Sequence, residues 1–183
     1  KENRMSALKN FSLVLLTLIL AMPLLAQDMM SDMSLGPEHN KQLERAGTWD
    51  VHSKMWMAPG MEPMEAAGVS VCEAVMGGRY TIDRYTSDFM GMTYEGLGLN
   101  GYDTTTKRYW STWSDNMNTD IGIMWGTVDE SGKVYTYHGD IHDEKVKSVA
   151  TKNDDGTVLF EMFMVGEDGT ENKTMEMFYT RRK

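Results

Sequence analysis

From residue 47 to the end of the chain, polar and apolar side chains alternate with a period of two in short segments separated by turn residues. That period is the signature of a β-strand. The breaks carry turn chemistry, for example Pro59-Gly60 and Asp154-Asp155-Gly156. The alternation predicts ten strands, at 47–57, 65–76, 79–88, 93–102, 107–115, 120–128, 133–141, 145–152, 157–165 and 172–182. Because nearly every connection is short, consecutive strands should pair, and we expect a mainly β, up-and-down antiparallel barrel.

The first of these segments begins with Gly47-Thr48-Trp49-Asp50. A glycine allows close backbone packing, and an indole two residues later can plug the floor of a small barrel. Such a barrel has an interior that can hold a ligand. Just before it, Pro37 is expected to open a short helix through about residue 45, which would cover one end of the barrel.

The first 26 residues are typical of a secretory signal peptide. An apolar run over 11–25 follows a basic start, and it is short for a membrane span, which needs about 20 apolar residues. We therefore expect a signal peptide at 1–26, a flexible lead-in at 27–36 and the folded domain at 37–183, with no stable membrane insertion after cleavage. An uncleaved N-terminal anchor is the alternative.

Charge and cysteine content limit which partners and which cellular compartment the sequence predicts. The chain carries a formal net charge of −9, which becomes −11 without residues 1–26 because these hold three basic residues and one acidic residue. So acidic a surface repels phosphate backbones and disfavours nucleic acid as a partner. Cys72 is the single cysteine, and we expect it to be a small buried hydrophobe rather than a reactive thiol. Export without an internal disulfide fits a bacterial periplasm.

Several motifs carry a resemblance to a known family. They are Pro37-Glu38-His39, Gly47-Thr48-Trp49-Asp50, Met76-Gly77-Gly78-Arg79, Gly101-Tyr102-Asp103, Tyr109 with Trp113-Ser114-Asp115, and the closing stretch from Glu171 to Arg181. In this order they resemble a bacterial family known as domain of unknown function 1579, over nearly all of 36–183. The resemblance implies a calycin-like barrel, related to lipocalins, fatty-acid-binding proteins and haem-binding nitrobindins. In lipocalins a basic residue of the last strand covers the indole of the first, a role that Arg181 or Arg182 could fill over Trp49.

Methionine is unusually frequent, with 18 in the chain. Pairs at i and i+2, such as Met162 and Met164, share one face of their strand. Thioethers are soft ligands for Cu(I), so a copper site is one interpretation. The pattern favours instead a deformable apolar lining, because no Cys or His is interleaved among the methionines.

Aromatic residues spread through the strands, and those with inward parity would line a cavity. We expect Gly96, Gly98 and Gly101 to mark bends or close approaches. The residues predicted to bind a ligand are Met55, Trp56, Tyr85, Trp113, Met162 and Met164, with Arg84 as a polar anchor.

No catalytic constellation is recognisable, since the chain lacks a G-x-S-x-G nucleophile elbow. The sequence therefore predicts non-catalytic binding of a small hydrophobic or amphipathic molecule, with no cofactor. One alternative is a haem-handling protein related to nitrobindins, in which His138 would ligate the iron. Another is a structural module of the cell envelope.

Overall fold

A computed structural model describes residues 34–183, so the predicted signal peptide and residues 27–33 of the predicted lead-in lie outside the described residues. The described chain forms one short helix, α1, and ten strands, β1 to β10. Their bounds are Pro37–Leu43 for α1 and, for the strands in order, Gly47–Met55, Met64–Val75, Tyr80–Phe89, Met92–Asp103, Arg108–Asp115, Gly122–Val128, Val134–Ile141, Glu144–Lys152, Val158–Val165 and Glu171–Arg181. The predicted strands are confirmed, with ends that differ by a few residues.

Each strand pairs antiparallel with its neighbours in sequence, and β1 closes the barrel by pairing with β10 as well as β2. At the closure, Trp49 lies opposite Arg181 on one side and Ser70 on the other. A closed barrel leaves no strand edge unpaired. The predicted up-and-down antiparallel barrel is therefore confirmed.

The two ends of the barrel differ. Helix α1 and the connections β2–β3, β4–β5, β6–β7 and β8–β9 lie at one end, here called the helix end. The other five connections form the opposite end, here called the mouth. There His142 and Asp143 make the two-residue turn between β7 and β8, both with positive φ, as a tight hairpin turn requires.

Helix α1 is two residues shorter than predicted and packs by its buried residues His39 and Gln42. The ring of His39 meets Tyr102 edge-on, with the centroids 5.7 Å apart. The Tyr109 hydroxyl donates to the carbonyl of Glu38 at 3.4 Å. A helix of this length has little intrinsic stability, so these tertiary contacts hold it at the barrel end.

Small side chains occupy many inward positions on one side of the barrel. Ala66, Gly68 and Ser70 face inward on β2, and Gly96 and Gly98 do so on β4. A barrel of ten strands is wide, and small residues cannot fill it. The interior is therefore hollow. Within residues 34–183, no helix combines the length and the apolar character needed to cross a membrane.

Candidate ligand-binding site

The barrel interior holds two adjoining chambers. The larger, of about 560 Å³, extends from the middle of the barrel to the mouth. The smaller, of about 270 Å³, lies beneath α1 at the helix end. Both are lined by Arg45, Tyr137 and Phe160, so the two spaces meet at these side chains.

Glycines let two aromatic rings lie flat against the wall of the large chamber. A Cβ atom on Gly96 would lie 2.1 Å from Cζ2 of Trp113, and one on Gly68 would lie 2.6 Å from the Tyr85 hydroxyl. Neither position tolerates a side chain while the ring stays in place. The close approaches predicted for Gly96, Gly98 and Gly101 are confirmed, each against a tryptophan of β5.

Trp113 is fixed further by hydrogen bonds. Its Nε1 donates to the Tyr94 hydroxyl at 3.1 Å, and that hydroxyl donates to Oδ2 of Asp115 at 3.1 Å. Burial raises the pKa of Tyr94 to about 12. The phenol is therefore a neutral donor at physiological pH, and it holds the indole in one orientation.

Methionine forms much of the remaining wall of the large chamber. The lining methionines are Met55, Met57, Met117, Met124, Met162, Met175 and Met177. Thioether side chains are flexible and polarizable, so such a wall can adapt to ligands of irregular shape. The structure thus places seven methionines in the wall of this chamber, and the adaptability of that lining stays a prediction.

Arg45 supplies the charge at the junction of the chambers. Its Nη2 donates to Oδ2 of Asp83 at 3.2 Å. Asp83 also accepts from Ser70 Oγ at 3.2 Å and from Asn100 Nδ2 at 3.1 Å. The Asp83 carboxylate raises the pKa of Arg45, against the opposing effect of burial. The Arg45 side chain is 47% exposed, and since it lines both chambers, exposed surface of this residue faces the interior.

The small chamber is basic although the chain as a whole is acidic. Its charged lining residues are Lys41, Arg45, Lys152, Arg181 and a single acid, Glu44. Tyrosine hydroxyls add neutral donors, and burial raises the pKa of Tyr137, which also lines the large chamber, to about 12. The local charge therefore favours an anionic group, opposite to the net charge of −9.

The predicted ligand residues are only partly brought together. Met55, Tyr85, Trp113 and Met162 line the large chamber, as expected. Met164 lies near the end of β9, is 37% exposed and does not line either chamber.

Trp56 and Arg84 also lie outside the chambers. Trp56 follows the last residue of β1, and its ring lies 6.0 Å from Lys173 Nζ. The expectation that Arg84 anchors a ligand inside the barrel is wrong, because strand alternation turns its neighbours Asp83 and Tyr85 inward and leaves Arg84 exposed. Arg45 takes the interior position instead.

The histidines require a similar correction. His138 lies exposed on the outer face of β7, so it cannot reach a haem held in either chamber. His142 lines the large chamber at the mouth, with Nδ1 2.6 Å from Oδ2 of Asp120. Among the described residues, no three His, Cys, Asp or Glu side chains are grouped as a metal ion would require.

Trp49 closes the helix end together with Arg181. The guanidinium carbon of Arg181 lies 4.3 Å from the centroid of the Trp49 ring, and the indole Nε1 donates to the carbonyl of Arg45 at 2.9 Å. Arg181 also donates to the carbonyls of Glu44 and Ala46, at 2.6 and 2.7 Å. Of the two arginines that the resemblance left open, Arg181 covers the indole.

Gly47 is required by this arrangement. It has a φ of +138°, and a Cβ atom there would lie 2.5 Å from Nη1 of Arg181.

A model of a protein family, described as a protein of unknown function (DUF1579), matches residues 34–181. The chain belongs to the DUF1579 family. No curated protein matches the sequence.

The DUF1579 match spans α1 and all ten strands, so it includes both chambers and the Gly47, Trp49 and Arg181 closure. The resemblance stated from the motifs is therefore confirmed, and the closed barrel is consistent with a calycin-like relationship. The family description assigns no activity, so what this DUF1579 chain binds has to be argued from its side chains.

The single cysteine of this DUF1579 chain gives a direct test of the barrel wall. Cys72 lies on β2 opposite Asp83 and is 3% exposed. Burial and the nearby Asp83 carboxylate together raise the pKa of its thiol to about 11. Since the thiolate is the reactive form, we expect negligible alkylation by iodoacetamide at neutral pH in the folded protein and complete alkylation in denaturant. Intact-mass measurement over time distinguishes the two. Labelling of the native protein at the denatured rate would contradict the placement of Cys72.

Proposed function

We propose that the barrel binds a small amphipathic molecule with an anionic head group, without catalysis. The head group would occupy the small chamber at the helix end, and the apolar part would extend through the large chamber toward the mouth. The observation that carries this proposal is the position of Arg45 at the junction of the two chambers, in a locally basic lining within an acidic protein.

The chemistry of Arg45 supports an anionic head group. A guanidinium presents five N–H donors, and the hydrogen bond to Asp83 uses a donor on Nη2. Asp83 thereby fixes the direction of the guanidinium. Charge-assisted hydrogen bonds from arginine suit carboxylate and phosphate groups, and they are stronger where water is partly excluded.

The large chamber supports an apolar body for the ligand. A volume of about 560 Å³ lies within the range of roughly 300–1,000 Å³ usual for small-molecule sites. Its methionine and aromatic side chains offer apolar contact, beside polar side chains such as Ser87 and Asp115 that line the same chamber. At the mouth, the loops carry exposed apolar side chains, among them Met57 and Met117, which also line the chamber. An apolar molecule entering there would stay in contact with apolar surface.

Fluorescence titration with a dansylated undecanoic acid tests the proposal. The wild-type protein should enhance and blue-shift the dansyl emission with saturable binding. Ala150→Trp should abolish this signal, because Ala150 lines both chambers and an indole there fills their junction. Thr151→Trp is the matched control, since it adds the same indole one residue away on the outer face of β8.

Circular dichroism and thermal melting establish that both tryptophan variants are folded. Equal binding by wild type and folded Ala150→Trp would place the probe outside the chambers and overturn the proposal. The proposal would also be overturned if neither this acid nor a lysophospholipid, tested in parallel, showed saturable binding to the wild-type protein.

We also propose that the protein is exported to the bacterial periplasm. The apolar run over 11–25 and its basic start support this proposal. Expression of the full chain in a Gram-negative host, followed by fractionation and intact-mass measurement, should give a periplasmic protein whose N-terminus lies near residue 27. An uncleaved protein in the membrane fraction would support the anchor alternative instead.

A further inference from the structure

A row of methionines crosses the wall of the large chamber near the mouth. Met55 ends β1 and lies directly opposite Met175 of β10, which in turn lies opposite Met162 of β9. All three line the large chamber. The sequence places these residues far apart, and only the strand register brings them together.

The spacing of the row allows the three sulfur atoms to converge. Directly opposed residues of antiparallel strands have Cβ atoms about 4.5–5.5 Å apart. Each methionine side chain has three rotatable bonds, so the side chains of Met55 and Met162 can bend toward Met175 from either side. Three thioethers on one concave wall can therefore share a single ion.

We propose that Met55, Met162 and Met175 form a site for a soft monovalent metal ion, Cu(I) or Ag(I). Thioether sulfur is a soft ligand that selects Cu(I) over hard cations such as Mg²⁺ and Ca²⁺, which require oxygen ligands. A three-sulfur set of this kind holds the ion by its own donors. No bond is formed or broken within the protein, and the ion keeps its oxidation state.

Two neighbouring methionines show that sulfur atoms of this interior accept hydrogen bonds from other chamber residues. Met177 Sδ lies 3.5 Å from the Tyr179 hydroxyl, and Met124 Sδ lies 3.9 Å from Ser148 Oγ. Ser148 is the register neighbour of Met162. Met177 lies two residues from Met175 on the same face of β10, so it is a candidate for a fourth ligand.

The metal-site proposal does not rest on the proposed amphiphile binding, although both use the wall of the large chamber. The methionine row lies in the half of the barrel toward the mouth, where β1 ends, whereas Arg45 follows α1 at the helix end. The positive charge nearest to the junction of the chambers is paired, since Arg45 Nη2 lies 3.2 Å from Asp83 Oδ2. Metal binding is therefore measured without any organic ligand.

The test is an anaerobic titration of the full chain with Ag(I), followed by native mass spectrometry and equilibrium dialysis. A Cys72→Ala background removes the one thiol. On that background, Met55→Leu/Met162→Leu/Met175→Leu replaces the row with residues of similar volume. The matched control, Met61→Leu/Met76→Leu/Met90→Leu, changes three exposed methionines that do not line the chambers.

We expect the background protein and the matched control to bind one more tightly held Ag(I) per chain than the row variant does. Sulfur-only coordination in X-ray absorption spectra of the Cu(I)-loaded protein would confirm the ligand type. Equal stoichiometry and affinity in the row variant would overturn the proposal, as would loss of the ion in the matched control. Thermal melting of each variant without metal excludes loss through unfolding.

Discussion

Replacement of Trp49 by alanine is expected to lower the free energy of unfolding by about 3–5 kcal/mol, the usual cost of truncating a buried tryptophan. The indole is buried in the core cluster with Val51, Tyr85 and Met177. Its removal also deletes the hydrogen bond to the Arg45 carbonyl and the stacking surface of Arg181. Urea unfolding followed by fluorescence of the remaining tryptophans measures the change.

The matched control for this prediction is Phe178→Ala. Phe178 is an aromatic residue of β10 that is 42% exposed on the outer face, and surface substitutions usually change stability by no more than about 0.5 kcal/mol. A loss of similar size in both variants would show that Trp49 does not close the barrel end. A loss confined to Trp49→Ala would show that the closure contributes most of the difference.

The fold could be predicted because its signals are local. Alternation within a strand and turn chemistry such as Asp154-Asp155-Gly156 are both read from a few adjacent residues. The pairing of each strand with the next then follows from short connections. The closure residue Trp49 could be predicted for the same reason, because it belongs to the short Gly47-Thr48-Trp49-Asp50 motif at the start of the first strand.

Because the barrel interior is partly polar, the sequence did not show correctly which residues of β3 face inward. On β3, the inward residues include Asp83 and Ser87, whereas Ile82 and Arg84 face outward. The rule that apolar residues face the core therefore fails on this strand, because the interior faces a polar cluster around Arg45 rather than a packed core. Alternation alone gives two faces and does not say which one is inside.

Arg45 and His142 could not be found from periodicity. Arg45 follows the end of α1 and His142 lies in a hairpin turn, and neither position belongs to a repeating pattern. Their direction depends on how these connections pack over the barrel ends. The methionine row was hidden for a related reason, since the opposition of Met55 and Met175 depends on the register of two strands that are distant in sequence.

Replacement of Arg45 by leucine is expected to weaken binding of the dansylated undecanoic acid by about 10- to 100-fold, because a hydrogen bond to a charged group contributes about 1.5–3 kcal/mol. Binding of the corresponding dansylated alcohol should change little, since it lacks the negative charge. The comparison of acid and alcohol separates loss of the cation from loss of packing.

Asp83→Asn provides the opposite test. Its amide can still accept from Asn100 and donate to Ser70, the two polar neighbours of the carboxylate, while the negative charge that neutralises Arg45 is removed. We therefore expect tighter binding of the acid and unchanged binding of the alcohol. If Arg45→Leu leaves acid binding unchanged, or Asp83→Asn weakens it in a protein with normal melting, the head group does not lie at Arg45. Weaker acid binding by Arg45→Leu together with tighter acid binding by Asp83→Asn would place the negative charge of the ligand close to both side chains.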